Sequence, residues 1–349
     1  MVNQSKAYKE AGVNLEAADD FVDRIKDMAS GTYTKGVITD IGLFSGMFKL
    51  NKDEMKNPVL VSSTDGVGTK LKIANQMEKH DTIGIDLVAM NVNDIVVHGA
   101  KPLFFLDYFA TGQLDVQKAE QIVTGIVKGC KQAQCALLGG ETAELPGCYD
   151  SGEYDLSGFC VGLVDQDMII DGSSISLGDK VIGINSSGLH SNGYSLIRKL
   201  LNKNEFDLQK NIPGYVQPLG LTILEPTKIY VQTILNLLRD FQIKGMAHIT
   251  GGGFLGNLPR ILPKNVRAVI DTQTWTMNSL FTWIKENGDL DWSEMFQIFN
   301  CGIGLVLIVD KHAVDDVLIR LKGLKEEGHL IGEVAYRKPK ESPIELLNV

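Results

Sequence analysis

The sequence of 349 residues lacks the features of several large protein classes. It has no apolar run of transmembrane length, and its start, Met-Val-Asn-Gln-Ser-Lys, lacks the apolar core of a signal peptide. It also lacks positive charge, since 34 Lys and Arg stand against 43 Asp and Glu. Nucleic-acid-binding proteins need Lys and Arg to neutralise phosphates. We therefore expect a cytoplasmic protein whose partners are small molecules, with no nucleic acid and no membrane.

Cysteine is scarce, and its pattern indicates neither a metal site nor a disulfide framework. The five cysteines include no Cys-x-x-Cys pair and have no histidine nearby at ligand spacing. We expect reduced, mostly buried thiols. The Walker phosphate-binding pattern is absent as well, because Gly66 and Gly68 lie too close together. A nucleotide site in this chain would be of another kind.

The length favours two domains over one core. A turn-rich stretch from Asp171 to Asp179 marks a change in composition, and we place the boundary there, giving domains 1–170 and 171–349. Two predicted strands, Cys135–Leu138 and Leu156–Val164, have no helix between them, which favours a mixed sheet. The expected fold is α+β or α/β, with two domains built on mixed sheets. The last residues are polar, and we expect them to form only a fringe.

The segment from Ser62 to Lys70 follows a short apolar strand and reads Ser-Ser-Thr-Asp-Gly-Val-Gly-Thr-Lys. Glycines let a backbone approach an anion closely, so Thr64, Gly66 and Gly68 suit a phosphate-binding turn. Lys70 adds positive charge, and Asp65 offers the oxygen ligand that Mg²⁺ prefers. An Asp-Gly hairpin turn with a solvated lysine explains these residues equally well.

A predicted helix from Ile83 to Val97 favours the ligand-binding interpretation over the simple hairpin turn. Its apolar residues recur at helical spacing, yet it carries Asp86 and Asp94. Carboxylates within an apolar helix are costly to bury unless they are paired or bound to a metal. A single such Asp is more often a cap or a hydrogen-bonded core residue, but two of them close to Asp65 favour a metal site.

Three further segments combine glycine with polar side chains. Gly139, Gly140 and Glu141 follow a strand, which suits close approach to a charged ligand and makes Glu141 a third metal or nucleotide candidate. His190, Ser191 and Asn192 precede a helix from Tyr194, where they suit either a phosphate or ordinary helix capping. His248 leads into the glycine run Gly251, Gly252 and Gly253, a second anion-binding candidate before another helix. We also predict a helix over Thr227–Phe241, with Pro226 at its first turn.

These segments resemble a known family. Asp94-x4-Gly99-Ala100-x-Pro102 is similar to the D-x4-G-A-x-P signature of the aminoimidazole ribonucleotide synthetase superfamily. Further blocks resemble its phosphoribosylformylglycinamidine cyclo-ligases in the same order, at 62–70, 84–94, 103–112, 139–144, 186–194, 248–253 and 299–302. The resemblance runs from about Tyr8 to Val334. The sequence departs from the family at 41–48, where the family carries a denser glycine stretch. The resemblance therefore does not identify the loop that closes over the nucleotide.

The resemblance implies an aminoimidazole ribonucleotide synthetase-like fold and a homodimer whose N-terminal strands pair. It implies a ligase of purine biosynthesis that uses ATP and Mg²⁺ to cyclise 5′-phosphoribosylformylglycinamidine. Asp65 and Asp94, with Glu141, would hold the metal, and Lys26 and Lys70 would add charge at the nucleotide. His190, Ser191, Asn192, His248 and the turn at 251–253 would hold the substrate, with His190 also a candidate for proton transfer. The first domain would bind ATP and Mg²⁺ and form the dimer, and the second would face the substrate.

Two other functions stay open at this stage. The chain could be a sister phosphotransferase of the superfamily, such as a selenophosphate synthetase or thiamine-phosphate kinase. The former is expected to carry a reactive cysteine near its start, and no cysteine precedes Cys130. The kinase would not be expected to match along both halves. The chain could also be a non-catalytic nucleotide-binding subunit that regulates a partner, although Asp65, Lys70 and Asp94 are all present.

Overall fold

A computed structural model describes residues 15–51 and 55–349. The chain forms two compact units. The first extends up to Ile95 and resumes over Lys101–Gln166, and the second comprises Val96–Ala100 and Asp167–Val349. The segment at Tyr8, where the family resemblance begins, lies outside the described residues. No helix in the described ranges has the length and apolarity to cross a membrane.

The first unit is built on a four-stranded mixed sheet with the order β1-β4-β2-β3. Its strands are β1 (Pro58–Gly66), β2 (Lys101–Thr111), β3 (Ala136–Glu144) and β4 (Tyr154–Asp165). β2 and β3 run parallel, while β4 pairs antiparallel with β1 and β2. The mixed sheet expected from the two consecutive strands is therefore confirmed.

The helices of the first unit are α1 (Leu15–Ser30), α2 (Lys70–Gln76), α3 (Ile83–Val96) and α4 (Val116–Ala133). The predicted helix over 83–97 is confirmed within one residue. It is almost wholly buried, because its apolar residues occupy most of its circumference. α4 begins at Asp115, whose carboxylate accepts the N–H groups of Gln117 and Lys118 at 3.0 and 3.1 Å.

The second unit has a six-stranded sheet with the order β10-β7-β9-β5-β8-β6. The strands are β5 (Lys180–Asn185), β6 (Ile243–His248), β7 (Val266–Asp271), β8 (Ile303–Val309), β9 (Gly328–Tyr336) and β10 (Ile344–Leu347). β8, which lies between β5 and β6, is buried at every position. The helices are α5 (Tyr194–Lys203), α6 (Leu219–Ile223), α7 (Val231–Leu237), α8 (Gly253–Asn257), α9 (Ser279–Gly288), α10 (Trp292–Ile298) and α11 (Val314–Gly323), with short 3-10 turns at Gln166–Met168 and Leu258–Ile261.

Two sequence predictions about this framework are wrong, and a third is confirmed. The final residues are not a fringe, because β9 and β10 complete the second sheet on either side of β7. The helix predicted over Thr227–Phe241 is confined to Val231–Leu237. Pro226 therefore precedes the helix, and its carbonyl accepts the hydroxyl of Ser187 at 2.6 Å. The expected burial of thiols holds, since Cys148 is the one exposed cysteine among the five.

Candidate functional site

The predicted phosphate-binding segment is mostly strand. β1 continues through Asp65 and Gly66, which pair with Gly158 and Ser157 of β4. The turn comes later, at Gly68, whose φ of +73° is a left-handed conformation that favours glycine. A side chain at Gly68 would meet no atom within 4 Å, so open space surrounds this turn. The backbone position that suits close approach of a ligand is therefore Gly68, just before α2.

Lys70 occupies a different environment from the one predicted. Its ammonium Nζ lies 2.9 Å from Oδ1 of Asp86, and both side chains have no solvent exposure. We expected an exposed cation beside phosphates, whereas the structure shows a buried ion pair that joins the start of α2 to the first turn of α3. Such a pair fixes two helices relative to each other, because either charge alone is costly to bury. Asp86 is thus accounted for by a partner rather than by a metal.

Asp65 is held in place by a residue that sequence reasoning did not select. Asn91, buried within α3, donates from Nδ2 to the carbonyl oxygen of Asp65 at 3.3 Å and to that of Leu87 at 2.9 Å. A Cβ at Gly158 would approach the Phe105 ring to 2.5 Å and Nδ2 of Asn91 to 2.7 Å, so glycine is needed there to admit both side chains. Asp94 follows on the same helix and is half-buried. The structure therefore connects the backbone of β1 at Asp65 to the helix that bears Asp94.

The third predicted metal ligand lies on the other side of the sheet. Asp65, Gly158 and Asp107 share one row across β1, β4 and β2, whereas Glu141 pairs with Tyr108 in the next row. Side chains of successive strand residues point to opposite faces, so Asp65 and Glu141 point away from each other. Within the described ranges, no three His, Cys, Asp or Glu side chains cluster as a metal site. The expected trio is not assembled within one chain.

Gly139, Gly140 and Glu141 lie inside β3 rather than after it, which corrects the predicted strand end. Gly140 is needed for contact with Asp107, since a Cβ at position 140 would approach Oδ1 of Asp107 to 2.3 Å. Burial raises the pKa of Asp107 to about 7. Gly139 has more room, because a Cβ there would lie 3.8 Å from its nearest neighbour, a methyl of Leu106. The two glycines therefore differ in their tolerance of a side chain.

Lys26 lies on the exposed surface of α1, where its ammonium is 2.8 Å from Oδ1 of Asp23. That hydrogen bond raises the pKa of Lys26. The glycine-containing segment 36–49 folds back on itself, with Lys49 N–H donating to the Gly36 carbonyl at 2.7 Å. Its tip reaches Lys26, because a Cβ at Gly42 would lie 3.4 Å from Cε of that lysine. The structure thus brings the predicted nucleotide-site lysine together with the loop that departs from the family pattern.

In the second unit, the structure brings the two predicted substrate segments together. The rings of His190 and His248 have centroids 6.4 Å apart. A Cβ at Gly251 would lie 3.4 Å from Oδ1 of Asn192, so the glycine turn packs beside the 190–192 turn. Nδ2 of Asn192 is buried and has no hydrogen-bond partner among the described residues. A donor held in this way suits an anionic or hydroxyl-bearing ligand.

His190 is wholly buried and adopts a φ of +60°, which is uncommon outside glycine. The backbone N–H of Ser187 donates to its Nε2 at 3.3 Å. That bond requires a lone pair on Nε2, so the imidazole is neutral with its proton on Nδ1. A Cβ at Gly304 would come within 2.4 Å of the His190 ring, so β8 carries glycine here to accommodate it. In this structure His190 braces the 186–193 turn from inside.

Asparagines that sequence reasoning passed over organise both turns. Asn300 accepts from the Ser186 hydroxyl at 3.1 Å and donates to the Gly188 carbonyl at 2.9 Å. Asn257 donates from Nδ2 to the carbonyls of Thr250, Gly251 and Gly253 at 3.3, 3.1 and 2.9 Å. The only sequence signal for them was their position within or just after glycine-rich blocks.

A charged group beside these turns was also not anticipated. Lys228 pairs with Glu326 and donates to the carbonyl of Asn185 at 3.3 Å. Tyr230 donates to the same carbonyl at 2.9 Å. Oδ1 of Asn185 is buried without a partner among the described residues. These contacts hold the end of β5, from which the 186–193 turn begins.

Comparisons with known proteins cover both units. The family model for AIR synthase related protein, N-terminal domain, matches residues 46–164, and that for the C-terminal domain matches 177–342. The phosphoribosylformylglycinamidine cyclo-ligase of Oleidesulfovibrio alaskensis is 57% identical over 336 residues, or 96% of each chain. That of Geobacter sulfurreducens is 53% identical over 348 residues, covering 99% of this chain and 100% of the relative.

Solved structures share the fold at much lower identity. A thiamine-monophosphate kinase from Stenotrophomonas maltophilia has a TM-score of 0.69 at 17% identity, covering 93% of this chain and 96% of the kinase. A hydrogenase maturation protein in complex with ATP has a TM-score of 0.65 at 14% identity, covering 93% and 91%. The fold of the kinase therefore matches along both halves of this chain. The shared fold does not distinguish the cyclo-ligases from the kinase and the hydrogenase maturation protein. Sequence identity does, since it is 53–57% to the cyclo-ligases and 14–17% to the other two proteins.

Proposed function

The chain belongs to the phosphoribosylformylglycinamidine cyclo-ligase family, and from this membership we propose that it is the ATP-dependent ligase of that reaction in purine biosynthesis. The observation that carries the proposal is identity of 53–57% across nearly the full length of both this chain and its relatives. The reaction converts 5′-phosphoribosylformylglycinamidine and ATP into 5-aminoimidazole ribonucleotide, ADP and phosphate.

The chemistry requires activation of a poor leaving group. The γ-phosphoryl group of ATP is transferred to the formyl amide oxygen, which gives an imidate-like phosphate. The neighbouring amidine nitrogen then attacks the same carbon, the carbon–oxygen bond breaks, and inorganic phosphate leaves. Because nucleophile and electrophile belong to one molecule, holding it folded makes the attack effectively unimolecular. The protein's main task is therefore to position two ligands and stabilise phosphate charge.

Phosphoryl transfer from ATP calls for Mg²⁺, which neutralises charge on the phosphates when bound. The residues present fit this ion, since Asp65 and Asp94 offer carboxylate oxygens on two elements that Asn91 links. Mg²⁺ is usually held by one or two carboxylates plus substrate phosphates, so a site without a third ligand from the same face is consistent with it. We propose that Asp65 and Asp94 would hold Mg²⁺.

We propose the remaining nucleotide contacts from the positions of the residues in the first unit. Lys26 lies under the tip of the 36–49 segment and would meet the phosphates, with Gly68 giving backbone access. Thr64 and Gly66 lie on β1 beside Asp65. Lys70 would support the site through Asp86 rather than touch ATP.

For the substrate, we propose that Ser191, Asn192 and the turn at Gly251 and Gly252 bind its ribose phosphate. The unpartnered Nδ2 of Asn192 and the exposed glycine backbone supply the donors. His190 and His248 would shape this turn from behind, since both are buried. Nε2 of His190 is already engaged by Ser187, so another group would take the proton from the attacking nitrogen.

A homodimer is proposed from the exposed face of the first sheet. Leu60, Phe159 and Tyr108 are 60%, 47% and 38% exposed, and they share that face across β1, β4 and β2. A sheet face with large apolar side chains suits contact with a second copy. Glu141 and Gly139 lie on the same face, so a second copy would bring Glu141 near another chain. We further propose that the protein works in the cytoplasm.

The test is stoichiometric. Purified protein is given ATP, Mg²⁺ and phosphoribosylformylglycinamidine, and phosphate and aminoimidazole ribonucleotide are measured in parallel. We expect equal amounts of both products, loss of both in Asp65→Asn and Asp94→Asn, and no phosphate release without the second substrate. Phosphate release without ring closure would indicate a sister phosphotransferase. ATP binding by folded protein with no turnover would indicate a regulatory subunit.

A further inference from the structure

A cavity of about 410 Å³ lies in the first unit, away from the residues assigned above to ATP and Mg²⁺. It is open to solvent on one side and is lined by the two ends of the 36–49 segment, the start of β2 and the end of β4. Its size falls within the range of small-molecule sites. Neither the cavity nor its lining residues has a role in the proposed reaction.

The lining combines three lysines with an apolar floor. Lys35, Lys49 and Lys101 are exposed around its rim, while Phe48, Leu103 and Leu163 contribute apolar surface. None of the lining residues in the described ranges is acidic. The sequence as a whole has a net charge of −9, so three lysines with no carboxylate among the described lining residues are a local reversal of sign. Such a patch attracts anions, and lysine is a common phosphate ligand.

The floor includes an aromatic ring that its neighbours hold in place. The ring of Phe48 packs on Phe104 with centroids 5.5 Å apart. Gly36 permits this arrangement, because a Cβ there would come within 2.3 Å of the Phe48 ring. An aromatic residue fixed in this way offers a stable apolar surface beside the lysines. Apolar surface with adjacent cations suits a heteroaromatic ring that carries phosphate.

The cavity is separate from the catalytic carboxylates. Lys101 pairs with Leu163, whereas Asp107 pairs with Gly158, which in turn pairs with Asp65. Six residue-to-residue steps separate Lys101 from Asp107, a distance of about 20 Å along the sheet. The 36–49 segment connects the two places, since its base lines the cavity and a Cβ at Gly42, near its tip, would lie 3.4 Å from Cε of Lys26.

We propose that this cavity is a second ligand site, which binds a mononucleotide-sized molecule with a flat heteroaromatic ring and a phosphate group. The phosphate lies among Lys35, Lys49 and Lys101, and the ring lies on the apolar floor. Because the ligand contacts both ends of the 36–49 segment, its binding stabilises the position of that segment over Lys26.

The probe is GMP, a mononucleotide that is not the proposed phosphoryl donor, titrated into the full-length protein by calorimetry. Lys49→Gln/Lys101→Gln should weaken its binding about tenfold or more. The matched control is Lys128→Gln, an exposed lysine on α4 of the same unit, for which affinity should stay within about twofold. A saturating non-hydrolysable ATP analogue with Mg²⁺ should leave GMP bound.

Two fragments test the ligand class. Guanosine lacks the phosphate and ribose 5-phosphate lacks the ring, so each should bind more weakly than GMP. Equal binding of ribose 5-phosphate and GMP would overturn the role of the apolar floor. Displacement of GMP by the ATP analogue, equal affinity in both lysine variants, or absence of GMP binding would each overturn the site. Direct binding is the readout, so these results do not depend on whether the ligase reaction occurs.

Discussion

Lys70 and Asp86 form an ion pair with 2.9 Å between Nζ and Oδ1, and neither side chain reaches solvent. Replacing Lys70 with Met leaves the carboxylate buried without this cation, and replacing Asp86 with Asn does the reverse. We expect each substitution to lower the unfolding free energy by about 3–5 kcal/mol, as for other buried pairs broken on one side. Urea unfolding measures the change.

The control for this prediction is an exposed pair. Lys26→Met removes the 2.8 Å contact with Asp23, in which both side chains are exposed and screened by solvent, and should leave the urea-unfolding midpoint close to that of the wild type. If Lys70→Met is equally mild but abolishes ATP binding, Lys70 acts on the nucleotide rather than through Asp86.

Asn91 positions Asp65 by donating to its carbonyl at 3.3 Å, and Gly158 leaves room for that amide. Gly158→Ala should displace Asn91, cost about 1–3 kcal/mol of stability through overpacking, and raise the KM for Mg·ATP. The matched control, Gly139→Ala in the same sheet, has its nearest contact at 3.8 Å and should unfold like the wild type. An unchanged KM for Mg·ATP in a folded Gly158→Ala protein would contradict the proposal that Asn91 positions Asp65.

These two contacts show what the sequence could and could not supply. Helical spacing located α3 within one residue, and glycine-rich blocks located the turns, because both signals are local. Lys70 and Asp86 are 16 positions apart, and Asn91 and Asp65 are 26 apart. Pairing across such distances depends on how α2 and α3 pack, which a linear pattern does not encode.

The same limit explains the errors at strand ends. β1 and β3 continue through Asp-Gly and Gly-Gly-Glu because β4 and β2 offer hydrogen-bonding partners there. Glycine has low strand propensity, so a local prediction ends the strand early. β10 was missed for a related reason, since its partner is the distant strand β7, with Ile344 opposite Ala268.

Asp107 makes stability depend on pH. Burial raises its pKa to about 7 from an ordinary value of 3.8, so the folded protein binds this proton more tightly than the unfolded chain. The associated stability is complete below the unfolded pKa and is lost as pH rises through the folded pKa. Between about pH 4 and pH 7, the wild type should lose urea resistance relative to Asp107→Asn. Parallel stability curves for the two proteins would contradict the assignment.

The proposed dimer face gives a prediction about assembly. Phe159 is 47% exposed on the first sheet, and Phe159→Glu places a charge among Leu60 and Tyr108. We expect sedimentation to show a dimer for the wild type and a monomer for this variant, because a charge buried at an interface is costly. Ile319→Glu is the control, since Ile319 is 69% exposed on α11 and outside that face. Dimers in both variants would place the interface elsewhere.

His190 gives the prediction that separates positioning from proton transfer. Its Nε2 accepts the Ser187 N–H at 3.3 Å, so the buried ring is neutral and already engaged. His190→Asn retains a residue that tolerates the left-handed backbone, whereas His190→Ala does not favour it. We expect His190→Asn to raise the KM for phosphoribosylformylglycinamidine by loosening the 186–193 turn, and His190→Ala to lose stability as well.

The pH dependence of kcat decides between the two roles. A residue that only braces a turn leaves the shape of the kcat profile unchanged, because no titrating group has been removed from the reaction. A residue that carries the proton removes one limb of the profile when it is replaced. The buried position and the Ser187 hydrogen bond favour the first outcome, so we expect His190→Asn and the wild type to share the same profile. Loss of one limb of the kcat profile in His190→Asn would instead show that this imidazole carries the proton. The 186–193 turn would then have to open during the reaction.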